Sequence, residues 1–268
     1  MDLNYSEYIK SKRQQLGLNQ REFAELLGLN ESGERTVSGW ERGEHKPSPS
    51  RWENIVSLST SVPFRQDSEN TWFKFIDLFA GIGGIRLPFQ EIGGECVFSS
   101  EWDKFSKKTY AMNFGELPLG DITKIKSEQV PDHDVLLAGF PCQAFSNAGK
   151  KKTFSDDRGL LFDEIIRIVK VKKPKFLFLE NVKHILKVDD GKVIKYILDK
   201  LDKNDYKVQI FHMSPHNYGI PQQRERIYFV CVRKDIYKHD LDESQLLYPK
   251  NTDYNFSDFL DNYDDIDD

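Results

Sequence analysis

Val135-Leu136-Leu137-Ala138 runs into Gly139-Phe140-Pro141-Cys142-Gln143-Ala144-Phe145-Ser146. A short apolar run ending at glycine reads as a buried strand. Open α/β sheets carry their chemistry in the loops at the carboxyl ends of strands. With Pro141 fixing the backbone ahead of it, Cys142 is set up as a nucleophile. Taken alone, a buried and inert thiol is the alternative reading.

A second set of residues suits a bound cofactor. The strand expected over Phe73 to Leu78 leads into Phe79-Ala80-Gly81-Ile82-Gly83-Gly84 and then a helical stretch. Glycines there let a ligand approach the backbone. The spacing is not Gly-x-Gly-x-x-Gly, which weakens a pyrophosphate reading, and plain strand-to-helix packing is also compatible. Two acids sharpen the choice. Glu101 ends the second strand, where an acid accepts from both hydroxyls of a ribose. Asp121, in Gly120-Asp121-Ile122-Thr123, is expected at the end of a third strand, facing an adenine amino group. Trp102 offers a flat face for the base. An adenosine without phosphates is implied, and S-adenosylmethionine fits.

These residues need an α/β frame. Apolar runs at 73–79, 95–99, 135–138, 176–179, 207–211 and 227–232 alternate with helical stretches, the pattern of βαβ units and a mostly parallel sheet. The expected fold is a Rossmann-like α/β sheet over 73–250. Residues 1–60 precede it as a small all-α domain, 61–72 read as a polar linker, and 251–268 form an acidic tail. The 268 residues carry a formal charge of −5, but the tail holds seven aspartates and no Lys or Arg, so the other 250 residues carry +2. Basic clusters at Lys150-Lys151-Lys152 and at Lys170, Lys172, Lys173 and Lys175 can grip phosphates. Cys96, Cys142 and Cys231 lack Cys-x-x-Cys spacing, so neither disulfides nor a metal is expected. Without a signal peptide or a long apolar stretch, the expectation is a cytoplasmic protein off the membrane.

Between Tyr5 and Ser59 the apolar spacing marks helices around Tyr8-Ile9 to Leu16, over Gln20 to Leu27 and over Arg35 to Glu41. With Trp40-Glu41-Arg42-Gly43 and Lys46-Pro47, this resembles the helix-turn-helix of the Cro and phage-repressor family, with a longer turn before the third helix. The resemblance puts Glu34, Arg35, Thr36 and Ser38 at a major groove, and Gln20, Arg42 and Lys46 at phosphates. The domain is not strongly basic, and a protein-contact bundle is the other reading.

Downstream, an ordered set of strings resembles the C5-cytosine DNA methyltransferases: Asp77 to Gly84, Glu101-Trp102-Asp103, Gly120-Asp121-Ile122, Gly139 to Gln143, Asp157 to Phe162, Glu180-Asn181-Val182 and Gln222-Gln223-Arg224-Glu225-Arg226. The resemblance implies that the Cys142 thiolate adds to C6 of a flipped cytosine, because C5 alone is a poor nucleophile. It also implies that Glu180 protonates N3, Arg226 holds O2, Arg224 positions phosphate or loop, and Asn181 orients Pro141 and its loop. S-adenosylmethionine is then bordered by Phe79 to Gly84, Glu101, Trp102, Asp121, Ile122, Pro141 and Leu161. Ser146, Lys150 and Arg158 meet the DNA backbone from a basic loop over 147–158.

Family members continue past the Gln-x-Arg-x-Arg strand into a target-recognition domain and a final conserved segment. About 40 residues follow Arg226, too few to hold them. A second polypeptide supplying both, as in a split enzyme, is therefore expected; a truncated chain is the alternative. The expected activity is DNA cytosine-5 methylation in a restriction-modification system, with the helix-turn-helix regulating transcription. The tRNA-acting branch of the family, or a regulator with a residual methyltransferase domain, are the alternatives.

Overall fold

The computed structural model describes residues 4–58, 62–66, 70–141 and 161–241. Cys142, Ser146, Lys150 and Arg158 lie outside the described residues, as does the acidic end. The chain divides into two compact units, Met1–Gly139 with Arg167–Pro174, and Phe140–Ile166 with Lys175–Asp268.

The first unit opens with α1 (Tyr5–Gln15), α2 (Gln20–Leu26), α3 (Gly33–Glu41) and α4 (Pro49–Val56). Local chemistry sets two of these starts. Asn19 accepts the Glu22 amide while the Glu22 carboxylate accepts the Asn19 amide, a capping box. Ser48 accepts the Arg51 amide, and Pro49 fills the first turn, where its missing N–H costs nothing. This α4 is additional to the three helices that the apolar spacing marks. Gly33 starts α3 two residues before Arg35, and a Cβ on it would run into Ala24 and Leu29. Ile9, Leu16, Phe23, Leu27, Val37, Trp40 and Ile55 close into one core, each burial contributing roughly 1.5–3 kcal/mol. Arg13 and Gln20 converge on Glu41, with Arg13 Nε 2.5 Å from Oε1 and Gln20 Nε2 2.8 Å from Oε2. Burial would raise the Glu41 carboxyl, but these donors hold it below the usual range.

β1 (Phe73–Leu78), β2 (Gly94–Ser100) and β3 (Val135–Gly139) follow, paired in parallel in the order β2-β1-β3. From Phe75 to Leu78 the central strand is buried on both faces, as parallel strands are. α5 (Arg86–Glu91) follows β1, and α6 (Lys104–Phe114) follows β2. Two sides of α6 are buried. Tyr110 and Phe114 pack with Ala80 and Leu87; Ala111 joins the core of the amino-terminal helices, with Leu117 against it.

The second unit holds β4 (Phe176–Val182), β5 (Tyr206–Met213) and β6 (Arg226–Arg233). β6 lies between β4 and β5 and is antiparallel to both. The expectation of a mostly parallel sheet therefore fails in this unit, because the chain from β5 returns through a loop with one short turn rather than a crossover helix. The sheet is mixed. α7 (Leu161–Lys172) runs from this unit into the first, and α8 (Lys192–Lys203) buries Val193, Ile197 and Leu201 at helical spacing. Among the described residues no helix is long and apolar enough to cross a membrane.

Candidate active site

In the first unit, the residues expected around a cofactor gather at the carboxyl ends of β1 and β2. Phe79, Gly81 and Gly83 adopt positive φ, which turns the chain sharply after Leu78. Glu101, 7% exposed, braces that turn: one carboxylate oxygen accepts the Gly81 amide and the other the Asp103 amide, each at 2.8 Å. Each oxygen keeps a lone pair for a further donor. Nothing lies within 4 Å of a Cβ placed on Gly81 or Gly84, while the side chains of Ile82 and Trp102 are exposed. Open backbone, a braced carboxylate and free apolar faces fit a ribose and its base.

Asp121 is not at the end of a strand. It caps a single 3-10 turn, Ile122–Lys124, and its Oδ1 accepts both the amide and the hydroxyl of Thr123. Only an isolated bridge, Ser100 to Leu119, ties the preceding segment to β2. Two backbone hydrogen bonds, Leu119 N to Ser99 O and Glu101 N to Leu119 O, still bring Asp121 towards Glu101. Arg167 secures the turn from behind, donating to Ile122 O and Ser127 Oγ.

Beneath the glycine turn lies a polar cluster that sequence reasoning did not single out. Asp77 is 1% exposed, and its Oδ2 has no hydrogen-bond partner among the described residues. Burial pushes its carboxyl up to about 8, the Glu101 charge adds to the rise, and Arg86 and a Tyr110 hydrogen bond oppose it. Fully buried Arg86 donates to Tyr110, Gln90 and Glu116. The available signal was the acid two residues ahead of the glycine turn, within a string quoted only for its glycines.

Asp77 carries a pH prediction. Its carboxyl holds a proton to about pH 8 in the folded state but loses it near 3.8 when unfolded. The folded state therefore binds more protons across that window, and stability falls as pH rises through it, by at most about 1.4 kcal/mol per unit. Urea denaturation at pH 5, 6, 7 and 8 should show this slope in the wild type and a flatter one in Asp77→Asn. Equal slopes would assign the pH dependence elsewhere.

The second unit assembles its own group. Glu180 on β4 faces Tyr228 on β6, and Val182 faces Arg226, so Arg226 lies diagonally across from Glu180. Their side chains meet with Nε 2.6 Å from Oε1, both largely buried. Asn181, 2% exposed, donates from Nδ2 to the Phe140 carbonyl at 2.8 Å and accepts the Val182 amide at 2.9 Å. It thus holds the peptide that leads into Pro141. Glu225 points the other way, to Lys183 at 2.6 Å and His212 at 3.1 Å, and the Lys183 hydrogen bond holds its carboxyl low. Arg224 is exposed, its amide donating to Ser214 Oγ. Leu161, half-buried, opens α7.

On the helix-turn-helix, Glu34 and Arg35 are exposed and Thr36 and Ser38 half-buried, while Gly33, Val37 and Trp40 point inward. Arg42 is exposed, donates to Ser38 and forks onto Glu44. Lys46 lies over the Tyr5 ring at 4.8 Å. Gln20 is turned inward, to Glu41.

Residues 73–267 match the family model for C-5 cytosine-specific DNA methylases, and residues 9–58 match a helix-turn-helix model. The chain is 47% identical over 233 residues to type II methyltransferase M.SsoII of Shigella sonnei, covering 87% of this chain and 61% of that protein. That span is too long to fit after residue 72, so it reaches back into the amino-terminal helices. Type II methyltransferase M1.ScrFI of Lactococcus lactis subsp. cremoris is 49% identical over 223 residues, covering 83% of this chain and 57% of that protein. The chain thus spans about three fifths of the length of these relatives. In fold it is similar to the crystal structure of the S. pombe Dnmt2 methyltransferase, with a TM-score of 0.54 and 21% identity over 65% of this chain and 54% of that one. With most of its length matched by that model, the chain belongs to the C-5 cytosine-specific DNA methylase family.

Proposed function

We propose that this chain carries the catalytic machinery of a type II modification enzyme, methylating C5 of cytosine in duplex DNA, with S-adenosylmethionine as methyl donor. The observation that carries the reading is the half-buried Glu180–Arg226 pair, one acid and one fork of donors held side by side at 2.6 Å. Such a pair suits the N3 and O2 edge of a cytosine, where one atom needs a proton and its neighbour a hydrogen bond.

S-adenosylmethionine supplies an electrophilic methyl group when bound. Glu101 would accept from its ribose hydroxyls, Asp121 from its adenine amine, and Trp102, Ile122 and Leu161 would flank the base. Phe79 to Gly84 and Pro141 would border the remainder. The Cys142 thiolate adds to C6 of the flipped cytosine, and the displaced electron pair ends on N3, which takes a proton from Glu180. Arg226 donates to O2 and supports the charge that develops there. C5 thereby becomes an enamine carbon able to accept a methyl group. Loss of the C5 proton to solvent water then expels the Cys142 thiolate, and N3 returns its proton to Glu180, which restores the ring. Asn181 keeps the Cys142 loop in register through the Phe140 carbonyl, while Arg224, Ser146, Lys150 and Arg158 meet the DNA backbone.

Residues 1–60 act in this reading as an operator-binding module, with Glu34, Arg35, Thr36 and Ser38 on the bases and Arg42 on phosphate. The exposed positions of Glu34 and Arg35 on α3, and of Arg42 just beyond it, support this assignment. The reading keeps the enzyme in the cytoplasm. A second polypeptide carrying target recognition is proposed as its partner, and the test below decides for or against it. The test is radiolabelled methyl transfer to duplex DNA and to tRNA, with this chain alone and with the product of the next reading frame added. The combination should methylate duplex DNA sequence-specifically, and the chain alone only weakly. Full specific activity from the 268 residues would remove the second polypeptide. Transfer to tRNA in preference to duplex would overturn the DNA reading.

A further inference from the structure

We infer that the helix-turn-helix and the cofactor loop are energetically coupled through α6, so that occupancy of one changes the affinity of the other. The inference rests on the reading of Phe79 to Gly84 and Glu101 as the cofactor site.

The helix touches that site at both ends. At its amino end, Asp103 caps it by accepting the Phe105 and Ser106 amides, and the Asp103 amide is itself held by Glu101. At its carboxyl end, Asn113 donates to the Ile82 carbonyl at 3.0 Å, and the Phe114 ring fills the space a Cβ on Gly83 would need. A shift of α6 therefore moves Glu101 and the glycine turn together.

The same helix is the seat of the amino-terminal helices. Ala111 is 1% exposed within their core. Lys107 Nζ lies 3.1 Å from Glu25 on α2. Behind α1 the backbones nearly touch: a Cβ on Gly17 would meet the Gly115 carbonyl. Residues 62–66 strap the seam, since Phe64 N donates to Asn113 O, Gln90 to Phe64 O, and Arg65 to Gln15 O. The segment expected as a polar linker is thus fastened over these five residues. A cavity of about 310 Å³ opens along the seam, between Gly17, Arg65, Arg86 and Glu116.

A ligand that orders the glycine turn must therefore bias α6, and α6 must bias the helices buried on Ala111. Coupling of this kind is reciprocal, so DNA held by α3 alters cofactor affinity by the same factor. The test is hydrogen exchange of the full chain with and without S-adenosylhomocysteine, its binding followed by calorimetry. The product should slow exchange at residues 79–84 and also, about threefold or more, at residues 15–27. Ala111→Glu should abolish the distant protection, keep the local one, and weaken product binding about fivefold. If that variant fails to fold, Lys107→Glu replaces it, and the charge swap Lys107→Glu with Glu25→Lys should restore the wild-type pattern. Bound product with unchanged exchange at residues 15–27 overturns the coupling alone. Failure of the product to bind overturns the cofactor reading and the coupling with it.

Discussion

Replacing Cys142 by serine is expected to lower methyl transfer by a factor on the order of 10⁴ or more while leaving S-adenosylhomocysteine affinity nearly unchanged. The hydroxyl is almost isosteric with the thiol but far less ionised at neutral pH, so the attacking species at C6 is lost. Apart from Pro141, whose backbone the substitution leaves in place, the residues proposed to hold the product belong to other segments, so calorimetry should give a dissociation constant within about threefold of wild type. A duplex carrying fluorine at the target C5 adds a second readout. Without a C5 proton to lose, the ring cannot expel the enzyme, and the wild type should form an adduct that survives denaturation. The serine variant should not. Turnover within about tenfold of wild type, or an adduct from the variant, would end the assignment of Cys142 as the attacking nucleophile.

The second large effect is expected at Glu180. Glu180→Gln keeps the shape and a hydrogen bond to Arg226 but cannot give a proton to N3. The kcat should fall about 10²- to 10⁴-fold, the range for one general acid, with cofactor binding intact. A merely structural role for the Glu180–Arg226 contact at 2.6 Å would move thermal stability more than kcat. That split decides between them. Arg226→Lys, which keeps charge but loses the planar fork, should be impaired as well.

Legibility followed the range of the interactions. Gly81, Gly83, Glu101 and the strand before Cys142 were readable because a turn and a strand end are local events with local residue requirements. The inward stripe of Phe23, Val37 and Trp40 was readable for the same reason: helical spacing repeats within a few residues. Asp121 was placed on a strand because an acid after an extended stretch looks the same whether that stretch pairs along its length or, as here, bridges only through Leu119. Nothing local announces that β6 will run antiparallel between β4 and β5, since pairing depends on how distant segments return. The seat of Ala111 was equally hidden. An alanine on a helix carries no mark of the partner that covers it, and residues 62–66, polar and without period, read as linker although Phe64, Arg65 and Gln66 each find a partner.

The antiparallel pairing also sets a timetable for synthesis. Glu180 pairs opposite Tyr228, 48 residues later in the chain. At about 5–20 residues per second, β4 emerges from the ribosome several seconds before the strand that will cover its edge. During that interval its carbonyls and amides wait unpaired, open to whatever other strand is near. β5 and β6 meet sooner, since Met213 pairs opposite Arg226, only 13 residues on. They can close as a hairpin and dock on β4 as a unit. Because Arg226 arrives with that hairpin, its ion pair with Glu180 forms in the same event that closes the edge, and a nascent chain halted before residue 226 has neither.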